Sequence, residues 1–252
     1  VNRLDLHVHT TASDGTLSPS DAVRSALSNG VSILGIADHD TTDGIAEARA
    51  AAKGAPLVLV PGVELSVGAE EREIHVLGYF LEPGEPRLEA ALVKLRGARD
   101  GRNERIVQRL KELGAPISLD RVREIAGGGP SASSGSPRGG EQPPRATSRG
   151  GSVGRPHIAK ALVEAGHVSS EGAAFGRYLA RGKPGYVGRE RLSPAEAAAT
   201  IKQAGGVPVL AHPAKLGALR LIEALLDQGM EGVEVYHSDH TDAAVELLLE
   251  VA

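Results

Sequence analysis

The chain has 252 residues, 41% hydrophobic and 24% charged, which is enough apolar material for a sizeable core and excludes disorder of the whole chain. It contains no cysteine, so disulfide scaffolds, thiolate zinc sites and cysteine nucleophiles are excluded, and any metal must be held by nitrogen and oxygen. A net charge of −4 and 2% aromatic residues remove bulk attraction to nucleic acid or anionic lipid, and also base stacking as a main source of affinity. No run approaches the roughly 18 apolar residues of a membrane span, and the N-terminus has no basic stretch and apolar core of signal type, so the expected location is cytoplasmic.

In chain order, apolar runs alternate with helical patterns through the first 80 residues, as βαβ units on a parallel sheet do. Leu4–Val8 is the first strand. Ser18-Pro19-Ser20-Asp21 opens a helix, with serine as the cap, proline in the first turn and an acid near the positive helix end. Gly30 stops it, Val31–Ala37 is a second strand, and Asp43-Gly44 leads into an alanine-rich helix ending near Lys53-Gly54. Leu57–Val60 is the third strand and Glu73–Phe80 the fourth.

From Glu85 to Leu113 the spacing of Leu88, Leu92, Leu95, Ile106, Val107, Leu110 and Leu113 predicts one long helix or two consecutive ones. Gly127–Gly151 is rich in Gly, Pro and Ser without apolar periodicity, the composition of a disordered surface insertion. Short helices are expected around Pro156–Ala165 and Gly172–Leu179. Residues 82–190 therefore read as a mainly helical insert between two parts of an α/β barrel, 1–81 and 191–252. In the second part Ser193-Pro194 starts a helix through Ala204, Val207–Ala211 is a strand, Leu216–Gln228 a helix, Gly232–Tyr236 a strand and Thr241–Val251 a helix. A closing helix with no strand after it leads us to expect that the sequence stops before the domain does.

The strongest local signal is Asp5-Leu6-His7-Val8-His9-Thr10, because side chains at i and i+2 of a strand share a face. His7 and His9 can meet one ion, or can be two solvated or hydrogen-bonded side chains at a strand end. Asp14, Asp38-His39-Asp40, Glu64 and His212-Pro213 favour the first reading. Each lies at the carboxyl end of a predicted strand, the rim that holds the active site in βα barrels, whereas structural histidines would be scattered without regard to strand polarity. His75 fits this rule worst, because Val76–Phe80 continue its strand.

Asp5–Thr10, Ser13-Asp14-Gly15, Ala37–Thr41, Pro61-Gly62-Val63-Glu64, Glu73-Ile74-His75 and Leu210-Ala211-His212-Pro213 together resemble the PHP family, named for the polymerase and histidinol-phosphatase domains in which it occurs. The resemblance implies a distorted (β/α)7 TIM-like barrel with two or three metals. The matching positions are His7, His9, Asp14, His39, Glu64, His75 and His212, with Glu64 as the bridging carboxylate. Gly154-Arg155-Pro156-His157 to Gly166, Gly182–Val187 and Gly232–His240 are similar to stand-alone phosphoesterases that include nucleoside 3′,5′-bisphosphate phosphatases and 5′-to-3′ exoribonucleases. That subgroup carries a helical insert in the barrel. The family's closing strand, with an Asp-x-His motif supplying two further ligands, has no counterpart here, so the expected fold is this barrel with its last strand missing.

Histidines and carboxylates without cysteine suit manganese, iron or zinc, with manganese the expected metal. Two or three such ions, roughly 3.5–4 Å apart, can lower the pKa of a bridging water and neutralise phosphoryl oxygens. The expected activity is hydrolysis of nucleoside 3′,5′-bisphosphates or short RNA 5′ ends by a metal-activated hydroxide. A histidinol-phosphate-type phosphatase and a non-catalytic metal-binding module are the alternatives. Arg155 is the leading phosphate contact, because a guanidinium bonds phosphate oxygens as a fixed fork and Pro156 marks a helix start. His157 and His237 are further candidate substrate contacts, and Asp40 a candidate catalytic carboxylate that orients a ligand or helps proton transfer. His167 and Tyr186 are expected to be structural. Long duplex nucleic acid and membranes are not expected partners, and no oligomeric state is implied.

Overall fold

The computed structural model describes residues 3–69, 72–126, 153–188, 191–216 and 219–252. The expectation for Gly127–Gly151 lies outside them. The chain divides into two compact units, one made of Val1–Ala98 with Glu190–Ala252, the other of Arg99–Arg189.

The first unit is mixed α/β. Its six-stranded sheet follows chain order: β1 (Arg3–Val8), β2 (Val31–Ile36), β3 (Val58–Ala69), β4 (Arg72–Tyr79), β5 (Val207–Leu210) and β6 (Gly232–Val233). β1, β2 and β3 are parallel, as are β5 and β6, but β4 runs antiparallel to both its neighbours. This corrects the wholly parallel sheet expected from the alternation of strands and helices. The third strand is also longer than its apolar run. It pairs with β2 as far as Pro61, opposite Ile36, and from Gly62 onward with β4. A proline without an N–H and a glycine whose Cβ would sit 3.0 Å from two carbonyl oxygens mark a change of partner rather than a strand end. β6 is shorter than the expected Gly232–Tyr236.

Helices α1 (Pro19–Ser28) and α2 (Ile45–Ala52) cover β1 to β3, with Ala22, Val23, Ala26 and Ala48 packed on Leu34 and Ile36. The Ser18 hydroxyl accepts from the Asp21 N–H, as the capping pattern predicts. A Cβ on Gly35 would lie 2.3 Å from the Leu6 carbonyl oxygen, so glycine there permits the close approach of β1 and β2. Val63, Leu65, Val67 and Val76 join a second cluster with Leu88, Leu92 and Leu95 of α3 (Pro86–Glu112) and Ile201. The leucine spacing from Glu85 onward thus belongs to a single helix.

In the second unit Ile106 and Leu110 of α3 pack with Val122 of α4 (Leu119–Ile125) and with Ile158 and Leu162 of α5 (Arg155–Glu164). α6 (Glu171–Ala174) runs on into a π-helical turn, Phe175–Leu179, which adds Tyr178 and Leu179 to that core. His167 Nε2 donates to the Pro116 carbonyl at 2.9 Å. The remaining helices of the first unit are α7 (Pro194–Gln203), α8 (Leu219–Leu226) and α9 (Asp242–Leu249), with a 3₁₀ turn at Pro213–Leu216. Among the described residues no helix is long and apolar enough to cross a membrane.

Candidate metal centre

His7 near the end of β1 and His9 just past it share one face, with their Nε2 atoms 3.1 Å apart. The loop that follows folds back onto Asp38. The Thr10 N–H, Thr10 hydroxyl and Ser13 hydroxyl donate to its carboxylate at 2.7, 2.8 and 2.5 Å. A Cβ on Gly15 would come within 2.2 Å of the His9 carbonyl oxygen, so the turn closes only with glycine there. The result places Asp14 3.2 Å from His9 Nδ1 and 3.8 Å from His39 Nε2. Burial pushes the Asp38 carboxyl upward, against the Ser13 and Thr10 hydrogen bonds that favour its charged form.

Glu64, 1% exposed, stands at the middle of the cluster. Its Oε2 lies 3.4 Å from His7 Nε2, 3.1 Å from His9 Nε2 and 3.1 Å from His39 Nδ1. Its Oε1 lies 2.8 Å from His75 Nδ1 and 3.0 Å from His212 Nε2. The backbone holds this residue on both sides, with Glu64 N–H donating to Asp38 O and Asp40 N–H to Glu64 O, each at 3.0 Å. His75, which broke the carboxyl-end rule, reaches the same point because β4 runs backward. Opposite Ser66, it lies in the early part of β4 beside the late part of β3.

Burial opposes ionisation of Glu64, yet the charges of His39 and His75 and hydrogen bonds from His212 and His7 hold its carboxyl well below the usual range. Burial opposes imidazolium in the same way, and the carboxylates again outweigh it. Glu234 and Glu64 push His7 up to about 9, Asp14 and Glu64 push His9 up to about 10, and Glu64 and Glu73 push His75 up to about 9. The raised imidazoles and the lowered carboxyl favour opposite charges around the buried Glu64.

Other candidate positions divide. The His237 ring lies 5.8 Å from that of His7 and 5.3 Å from that of His212, so it joins the cluster, and its Nδ1 accepts from the Asp239 N–H at 3.1 Å. Asp40 is fully buried, its Oδ1 accepts from the Ser66 N–H at 2.9 Å, and its carbonyl accepts from Arg96 at 3.1 Å. Arg155 and His157 belong to the second unit. There the Arg155 guanidinium lies 5.9 Å from the Phe175 ring centre, and His157 Nδ1 accepts from the Gly154 N–H at the start of α5.

Sequence reasoning missed Glu234, whose carboxylate accepts from His7 Nδ1 at 2.8 Å and from the His212 N–H at 2.6 Å. The carboxyl-end rule applied to β6 points to it directly, since it is the first residue beyond Gly232–Val233. Among the described residues, donor atoms converge within 4.8 Å in four sets: His7, His9 and Glu64; His39, Glu64 and His75; His9, Asp14 and His39; His7, Glu234 and His237. Imidazole nitrogens and carboxylate oxygens grouped in this way fit divalent cations, and the two oxygens of Glu64 face different imidazoles.

Such a donor set at one edge of a mixed sheet is the arrangement of a metal-dependent hydrolase. Residues 5–117 match the PHP domain. The 5′-3′ exoribonuclease of Haemophilus influenzae is 37% identical over 211 residues, covering 84% of this chain and 69% of that protein. The 3′,5′-nucleoside bisphosphate phosphatase of Chromobacterium violaceum is 33% identical over 243 residues, covering 94% of this chain and 78% of its own. A crystal structure from Bifidobacterium adolescentis, assigned as a metal-dependent phosphoesterase, superimposes with a TM-score of 0.82 at 31% identity, covering 100% of this chain and 83% of the other. The chain belongs to the PHP domain family, among its metal-dependent phosphoesterases.

Proposed function

We propose that the protein hydrolyses phosphate esters of small nucleotides, with nucleoside 3′,5′-bisphosphates as the leading substrate class and short RNA 5′ ends as the next. One observation carries the reading: a buried carboxylate, Glu64, with one oxygen facing three imidazoles and the other facing two. Two relatives named for nucleotide or RNA phosphoester hydrolysis supply the substrate class.

His7, His9, Asp14, His39, Glu64, His75 and His212 would hold two or three divalent ions, manganese first, with Glu64 bridging. Divalent cations supply Lewis acidity, lowering the pKa of water and neutralising phosphoryl oxygens. The chain's own residues then have distinct tasks. His237, beside His7 and His212, contacts the phosphate being removed. Asp40 holds the His39 loop to the β3 backbone, a positioning task rather than proton transfer, since its carboxylate oxygen is engaged by Ser66 N–H in a fully buried setting. Arg155, with His157 beside it, is assigned to the second phosphate of a bisphosphate substrate on the chemistry of its guanidinium. The fold we infer for the whole is the (β/α)7-type barrel of the family, interrupted by residues 82–190.

The test is phosphate release from adenosine 3′,5′-bisphosphate. Release with manganese, suppressed by chelator and lost in His9→Ala, is the expected result. Undiminished release from a metal-stripped sample in chelator would overturn it, as would a manganese-loaded protein that releases phosphate from no nucleotide or short RNA.

A further inference from the structure

Beyond the seven positions matched by family motifs, the structure places a further acid, Glu234, against the cluster. Glu234 sits just past β6 with its side chain 10% exposed. Its two oxygens do different things: Oε1 lies 2.8 Å from His7 Nδ1, and Oε2 accepts the backbone N–H of His212 at 2.6 Å. A carboxylate only accepts hydrogen bonds, and the 2.8 Å contact between Oε1 and Nδ1 needs a hydrogen between the two atoms. His7 Nδ1 must therefore carry the hydrogen. In the neutral ring the lone pair is then on Nε2, the atom facing Glu64 at 3.4 Å and His9 Nε2 at 3.1 Å.

The second contact acts on the backbone. His212 has φ +29°, a conformation that residues with a Cβ seldom adopt and that costs free energy unless surrounding contacts hold it. The Glu234 oxygen supplies such a contact at the residue's own N–H, and the His212 Nε2 then lies 3.0 Å from Glu64. One side chain thereby fixes a ring tautomer at the end of β1 and a backbone bend at the end of β5.

We propose that Glu234 is a positioning residue for the metal centre, one that presents His7 as an Nε2 donor and locks the backbone that carries His212. The proposal rests on the metal-dependent phosphoesterase reading above. Glu234 also belongs to a donor set with His7 and His237, so direct coordination is the competing role. The ring geometry argues against it. With Nδ1 giving its hydrogen to Glu234, His7 has a lone pair for a cation only on Nε2, and that atom faces Glu64 and His9.

The experiment compares the full chain with Glu234→Ala and Glu234→Gln, using zinc as the probe and circular dichroism to establish folding. Zinc affinity by calorimetry is expected to fall by roughly 10–100-fold in Glu234→Ala, the usual effect of removing a group that orients a metal ligand. Glu234→Gln should fall between, since an amide can accept from only one of the two donors. In the zinc-loaded wild type, long-range 15N–1H correlation should show His7 protonated on Nδ1, and that fixed tautomer should be lost in Glu234→Ala. Equal zinc affinity and an unchanged His7 tautomer in both variants would overturn the proposal while leaving the phosphoesterase reading intact. A wild-type His7 unprotonated on Nδ1, with one fewer zinc bound by Glu234→Gln, would overturn it in favour of direct coordination. A folded wild-type chain that takes up no zinc or manganese would remove the metal-dependent reading and this inference with it. If Glu234→Ala does not fold, Glu234→Gln decides by the same criteria.

Discussion

In the Arg99–Arg189 unit, buried polar side chains serve the backbone. The Arg102 guanidinium donates to the Val187 carbonyl and the Asn103 amide to the Val153 carbonyl, both at 2.8 Å, around a core of Ile106, Leu110, Ile158 and Leu162. In the other unit, Asp38 accepts from one backbone N–H and from the Thr10 and Ser13 hydroxyls, whereas Glu64 faces imidazoles, 2.8 to 3.4 Å away. The first kind of burial gives hydrogen bonds to the chain's own carbonyls, each contributing on the order of 1 kcal/mol. The second kind gathers desolvated charges whose mutual attraction does little more than offset their removal from water, so it is poor evidence for stability and good evidence for a function. Polarity alone does not mark a site; titratable groups directed at one another at one sheet edge do.

This contrast can be broken from either side. Glu64→Ala should reduce metal-dependent phosphate release by roughly 10³-fold or more, since several kcal/mol of charge stabilisation depend on the ions it would hold. A rate assay with manganese in excess measures this, and near-normal turnover would mean that the imidazoles suffice without their shared acid. Leu110→Ala, at a site with no exposure, should lower stability by about 2–5 kcal/mol in denaturant unfolding and leave metal affinity unchanged. Weakened metal uptake in that variant would show that the two kinds of burial are not separable.

The mildest test is pH. His7, His9 and His75 in the metal-free chain stay protonated up to about 9, 10 and 9, and an imidazole must be neutral to bind a cation. Metal binding at neutral pH should therefore release protons, and apparent affinity should rise as pH approaches 9, by up to about tenfold per unit for each proton released. Calorimetry in buffers of different ionisation enthalpy reads the proton count. The sign for stability is opposite. Histidine pKa values raised above the unfolded value of 6.5 give a contribution fully present below that pH and lost as pH rises through 9 to 10. Metal-free and metal-loaded melting curves should diverge with increasing pH, and parallel curves would contradict the assignment of these three rings.

Much of the cluster is legible in the sequence because its side chains obey a positional rule. His9, His39 and His212 each lie just past a strand, and His7 shares a face with His9 through the two-residue period of a strand. What escaped has physical causes. The reversal of β4 leaves no trace in hydrophobic alternation, which is the same for either strand direction, so only the pairing of His75 with Ser66 explains how it reaches the cluster. Pro61-Gly62 carries the residue types of a turn, yet here they serve a strand passing from one partner to another. Glu234 follows a two-residue strand and precedes His237, Asp239 and His240, whose side chains have the more metal-like chemistry. The buried state of Asp40 was hidden for a different reason. Its role depends on a hydrogen bond to Ser66, a residue distant in sequence.

The continuation of β3 past Glu64 sets a mechanical asymmetry. The acid is seated within β3, paired with β4 on one flank and bridged to His39 on the other, whereas His9 and His212 stand just past the last paired residues of β1 and β5. The backbone of the acid is fixed by the sheet, and the imidazoles reach it through side-chain torsions. Ions of unequal radius can then be accommodated by small rotations of the rings without disturbing the sheet, so an exchange of manganese for zinc should be recorded in the histidine torsions and hardly at all in the position of the acid.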